Sequence, residues 1–159
     1  LFGLEAALAY VQERGVEAIA RHEQELTASL LEGLGAIEGV EIYSRSVDFN
    51  PREAASDSET ARVGSNPRYE TAPDAIRRVG VVSVNVRGYD PQDLAMVLDE
   101  NFGIQTRAGL HCAPGAHQAI GTFDAGGTVS LSVGPFTTPA EIDAAVAALR
   151  EIAVHSAGR

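Results

Sequence analysis

Residues 3 to 14 and 16 to 35 read as two helices divided at Gly15. In the second, Val16, Ile19, Leu26, Leu30 and Leu34 recur at helical spacing. Glu38-Gly39 then turns the chain into a short apolar strand, Val40 to Tyr43. A second strand is expected over Val79 to Val86. Its alternation sets Val82, Val84 and Val86 on one face and Val81, Ser83 and Asn85 on the other. Asp90-Pro91 has the form of a helix start, an N-cap followed by proline at the first helical position. Leu94, Val97 and Leu98 give that helix its apolar side, and Gly103 is placed to end it. The pattern predicts a short strand over Ile104 to Arg107, a single helical turn over Ala116 to Ile120, and a strand over Thr128 to Val133. Thr138-Pro139-Ala140-Glu141 is a capping box that opens a last helix, with Ile142, Ala145, Val146, Leu149 and Ile152 on its apolar face.

From residue 40 onward the order is strand, insertion, strand, helix, strand, loop, strand, helix. It predicts an α/β domain of the two-layer α+β kind, a small mixed or antiparallel sheet with helices on one face. Residues 1–35 read as a helical lead-in that packs beside this sheet or arrives from a preceding domain, and residues 36–159 read as the small domain itself. The chain opens on Leu1, already in helical pattern, and we read it as a piece of a longer protein. Residues 45–77 break the pattern. They are rich in Ser, Asp, Pro, Asn and Arg, and Arg45, Arg52, Arg62, Arg68, Arg77 and Arg78 fall in or beside them. A solvated, flexible insertion is the simplest reading, and a partner-contact arm is the alternative.

Charge narrows the partners. A net charge of −10 argues against nucleic acid or an anionic membrane surface. No apolar run approaches the roughly 18 residues that a membrane helix needs. The single cysteine excludes an internal disulfide and fits a reducing cytoplasm. There is also no lysine, since arginine supplies every basic residue counted among the 12. An aldehyde cofactor held as a Schiff base needs a lysine amine, so this chain alone cannot hold one in that way.

The lone cysteine sits in the densest group of reactive side chains. Cys112 follows His111 directly, with Arg107 before it and His117 after it in a loop rich in Gly and Pro. Cationic or titratable neighbours favour the thiolate, which is the nucleophilic form. On spacing alone Cys112 reads equally as a reactive thiol or as a small apolar residue. His111 suits proton transfer or thiolate support, or a hydrogen-bonded loop position. For His117 the hydrogen-bonded position is the better reading. Arg107 could hold a carboxylate through two hydrogen bonds or form a structural ion pair. The spacing is not that of a closed zinc site, and no metal ligand set is expected.

The segment from Ile104 to Pro114 resembles the active-site cysteine segment of cysteine desulfurases and selenocysteine lyases, which are class V aminotransferase-like enzymes dependent on pyridoxal 5'-phosphate. The likeness continues through Ile120-Gly121-Thr122-Phe123, Gly127-Thr128-Val129, Ser132 to Phe136 and Thr138 to Ile142, and upstream through Phe2-Gly3-Leu4 and the two helices. The resemblance implies the C-terminal domain of a fold-type I enzyme, usually a homodimer. Pyridoxal phosphate would be bound by a missing N-terminal region rather than by residues of this chain. Cys112 would be the catalytic nucleophile that takes sulfur from L-cysteine, leaving alanine and an enzyme persulfide for a possible sulfur-acceptor protein. Arg107 would lie near the substrate. The chain alone would be inactive. One departure matters. Ser130 stands where the family pattern Gly-Thr-Val-Arg-x-Ser has the arginine that binds the substrate's α-carboxylate. Hydrogen bonds of that kind contribute about 1.5 to 3 kcal/mol each. Two alternatives follow: a sulfur carrier or binding module that retains the thiol, and a class V relative with another substrate.

Overall fold

The computed structural model describes residues 2–43 and 79–156. The expected insertion at 45–77 lies outside them. Helix α1 spans Phe2–Arg14 and α2 spans Val16–Gly35. Strand β1 (Val40–Ile42), strand β2 (Val81–Val86) and helix α3 (Pro91–Phe102) follow. Then come β3 (Arg107–Gly109), the short helix α4 (Pro114–Ala119), β4 (Thr128–Ser132) and α5 (Pro139–Ser156).

The four strands form one sheet in the order β1-β2-β4-β3, and every neighbouring pair is antiparallel. The register places Val82 opposite Leu131 and Val84 opposite Val129, with Ile42 opposite Val84 on the other side. Val82, Val84, Val86, Val129 and Leu131 are all buried. They join Leu30 and Leu34 of α2, Leu94 and Leu98 of α3, and Leu149 and Ile152 of α5 in one apolar cluster. Helices therefore cover one face of the sheet, as the valine alternation predicts, because residues two apart on a strand point the same way. The intervening positions (Glu41, Ser83, Asn85, Arg107, Thr128, Ser130 and Ser132) make the opposite face largely polar, with Val81 an exposed apolar exception.

The helix ends follow local chemistry. Asp90 caps α3 by accepting from the Gln92 N–H at 2.8 Å. At the start of α5, the Thr138 N–H donates to Glu141 Oε2 at 2.8 Å, and the Glu141 N–H returns to Thr138 Oγ1 at 3.3 Å. Helix α1 buries no residue, and Phe2, Leu4 and Leu8 are exposed along it. Tyr10 on this helix meets Phe136 with ring centroids 4.9 Å apart, and the Arg14 guanidinium lies 5.9 Å from the Tyr10 ring centroid.

Strands β1, β2 and β4 are one or two residues shorter than expected, and two boundaries near the cysteine loop differ more. The strand expected over Ile104 to Arg107 begins only at Arg107 and runs to Gly109. Gly103 turns off α3 with φ 66°, and the N–H groups of Gly103 and Ile104 are taken by the Asp99 and Leu98 carbonyls at 3.0 and 2.9 Å. Backbone committed to ending a helix cannot also pair with β4. The helical turn expected over Ala116 to Ile120 instead starts at Pro114, whose fixed φ and missing N–H suit a first helical position.

Leu98 is fully buried where α3 meets the sheet. Leu98→Ala is expected to destabilise the chain by about 2–5 kcal/mol, seen as a lower urea midpoint. A midpoint within error of the parent would contradict the packing described.

Candidate active site

The site is built on the polar face of the sheet. Antiparallel register sets Ser83, Ser130 and Arg107 in one row across β2, β4 and β3. A neighbouring row pairs Glu41 with Asn85 and Thr128 with Gly109. Asn85 and Thr128 are buried, and the Asn85 amide donates to the Gly127 carbonyl at 3.0 Å. That bond anchors the loop between α4 and β4 to the sheet. Gly127 has φ 104°, and a β-carbon there would collide with the Gly109 carbonyl, so only glycine lets this loop cross the end of β3.

Cys112 lies on the loop leaving β3. The Ala113 N–H donates to the Leu110 carbonyl at 2.8 Å, closing a turn with His111 and Cys112 at its centre. Both central residues have positive φ, 50° and 60°. A turn of that form favours Asn-Gly, since residues with larger side chains meet steric cost in the left-handed region, about 1–2 kcal/mol each. These are the two non-glycine residues at positive φ among the described residues. The turn carries Cys112 at its exposed tip.

His111 is half-buried and points back to the sheet. Its Nε2 lies 3.0 Å from the Thr128 carbonyl and 3.3 Å from Ser130 Oγ. The rings of His111 and His117 have centroids 5.9 Å apart. His117 is buried, with Nδ1 2.7 Å from the Thr122 hydroxyl. The Thr122 N–H donates in turn to the His117 carbonyl at 2.9 Å. His117 is thus hydrogen-bonded, but it sits within the short helix α4 rather than in a loop. No group of three or more His, Cys, Asp or Glu side chains able to hold a metal occurs among the described residues.

Arg107 is exposed at the start of β3, directly across from Ser130. Among the described residues no carboxylate pairs with its guanidinium. The structure therefore gathers Arg107, His111 and Ser130 around one end of β4, with the Cys112 turn beside them. Sequence reading missed Thr128, Gly127 and Asn85, whose parts depend on register. Gly126-Gly127 was the available signal, since paired glycines mark a sharp or close passage.

At the β1 edge, the Tyr43 hydroxyl donates to Glu41 Oε2 at 2.6 Å. Burial, then that hydrogen bond and the Glu41 charge, push the Tyr43 hydroxyl up to about 12, against a smaller opposing contribution from Asn85. A raised value means that neutral Tyr43 stabilises the fold. The contribution is whole below pH 10 and is lost as pH rises towards about 12. Tyr43→Phe is expected to flatten that part of the urea-midpoint profile. An unchanged alkaline slope in the variant would refute the assignment.

The chain matches the family model described as Aminotransferase class-V over residues 1–56 and 50–145. It is 29% identical to a probable cysteine desulfurase of Methanothermobacter thermautotrophicus, over 95% of this chain and 30% of that protein. It is 30% identical to a probable cysteine desulfurase of Staphylococcus aureus, over 94% of this chain and 28% of the relative. Among solved structures, the apo cysteine desulfurase of Thermococcus onnurineus superposes with a TM-score of 0.71 at 27% identity, over 96% of this chain and 30% of that one. A cysteine desulfurase of Escherichia coli, at 18% identity and a TM-score of 0.63, shares the fold. The architecture is thus that of part of a fold-type I enzyme. The chain belongs to the class V aminotransferase family, and it spans about 30% of the length of the curated relatives it matches.

Proposed function

We propose that this chain is the C-terminal part of a pyridoxal phosphate-dependent cysteine desulfurase-like enzyme, with Cys112 as its nucleophile. The observation that carries the reading is the placing of the chain's one thiol. It stands outside the fold on a strained turn, within the segment that resembles the family's cysteine loop.

The donor set of this chain does not fit the cofactor, because a chain without lysine cannot form the covalent link. Pyridoxal phosphate, held by the remainder of the enzyme, would supply the electron withdrawal that lets cysteine release its sulfur. What this chain contributes is the acceptor of that sulfur. The Cys112 thiolate attacks the sulfur of L-cysteine. An S–S bond forms as the C–S bond breaks, and the electron pair left on carbon takes a proton to give alanine. His111 stands next in the chain to the thiol and supports its ionisation or moves a proton. Arg107 binds the substrate carboxylate, replacing the charge that Ser130 does not supply. Its guanidinium, which no other described residue pairs, and its place across from Ser130 support that role. The persulfide would pass to an acceptor protein, in a cytoplasmic homodimer.

Ser130 also supports a second reading, a class V relative acting on a different substrate, in which Cys112 takes no part. The two separate on one variant. In the full-length enzyme with pyridoxal phosphate, Cys112→Ala is expected to cut sulfide release from L-cysteine by at least about a hundredfold. The 159-residue chain alone should release none. Desulfuration undiminished in Cys112→Ala would favour the second reading, and turnover by the chain alone would refute the need for the rest of the enzyme.

A further inference from the structure

Ser130, the departure from the family pattern, is in contact with the cysteine turn. Its Oγ lies 3.3 Å from His111 Nε2, and the Thr128 carbonyl lies 3.0 Å from the same nitrogen. A carbonyl oxygen only accepts, so Nε2 is the donor in that contact. The Ser130 hydroxyl is then a second, longer acceptor for it. Arginine offers donors only. An arginine at position 130 would set donors against the Nε2 proton, so the family's usual residue and this contact exclude each other.

The backbone beside the contact holds the two non-glycine residues at positive φ among the described residues. His111 and Cys112 hold φ values of 50° and 60° that favour Asn and Gly, and one turn hydrogen bond closes around them. Such a conformation persists only where its surroundings over-determine it. Cys112 is exposed and contributes no hydrogen bond of its own to that restraint. The restraint comes from the His111 ring, bonded to β4 on one side and packed against the buried His117 ring on the other.

We propose that Ser130 and the Thr128 carbonyl together hook the His111 ring, and that this hook holds the strained His111–Cys112 turn in the conformation that keeps the thiol outside. The inference rests on Cys112 being the reactive thiol of the site, and it makes Ser130 and His111 positioning residues. Serine at 130 therefore gives the His111 ring a second acceptor where the family pattern has a carboxylate clamp.

The test needs neither cofactor nor substrate. Because the chain has one cysteine, its alkylation by iodoacetamide reports on Cys112 alone. The backbone carbon shifts of Cys112 report whether φ stays positive. His111→Phe keeps a ring to pack on His117 but cannot donate. It should move the Cys112 shifts out of the left-handed range and slow alkylation by at least about threefold, since a released turn presents the thiol for only part of the time. Exchange of the Ala113 N–H should speed up by at least about tenfold, while the Val84 N–H in the sheet stays protected. Ser130→Ala should produce the same changes in smaller size, and Ser130→Arg should approach His111→Phe. Left-handed shifts and parental alkylation in His111→Phe would overturn the proposal. If that variant does not fold, parental values in both Ser130 variants would overturn it. Sulfide release enters none of these measurements. A full-length Cys112→Ala enzyme that still desulfurates would overturn the nucleophile and leave the measured hook standing.

Discussion

Strand β4 has to serve two environments at once, and the rest of the structure depends on its doing so. Its period of two sends Val129 and Leu131 into the helix-covered core and Thr128 and Ser130 to the polar face. It pairs with β2 on one side and β3 on the other, so a slip of one residue would put serine among the leucines and valine beneath the cysteine loop. Burial of the valine face fixes the register. The register in turn places Ser130 across from Arg107 and brings the Thr128 carbonyl under His111.

Stability and chemistry are divided between the two faces. The apolar side holds α2, α3 and α5 against the sheet in one cluster. The polar side bears positions that cost the fold something: Asn85 Oδ1 and Thr128 Oγ1 are buried with no hydrogen-bond partner among the described residues, and His111 and Cys112 hold positive φ. Strain and unsatisfied groups of this kind gather where a site is being shaped. A thiol on a turn fastened to a well-packed sheet can be held in one place, which a thiol on an unanchored loop cannot.

Family membership and the local geometry bear on different questions. The match to class V aminotransferases accounts for the fold and for the cysteine segment. It does not account for Ser130, and the structure gives that residue a partner in His111. Loss of a charge at the expected clamp leaves Arg107, exposed and unpaired among the described residues, as the guanidinium on this part of the sheet.

The sequence by itself determined whatever depends on near neighbours. The helices, their caps at Asp90 and Thr138, the alternation of Val82, Val84 and Val86, and the lone thiol beside His111 are all local patterns, and local backbone chemistry is enough to set them. The absence of lysine is equally plain from the sequence. Tertiary structure alone decided the start of β3, because the end of α3 competes with β4 for the backbone of Gly103 and Ile104. It also decided the partners of His111, which lie 17 and 19 residues away on another strand. Register settles such pairings, and register is fixed by burying the apolar face of the whole sheet, a condition that no short stretch of sequence contains.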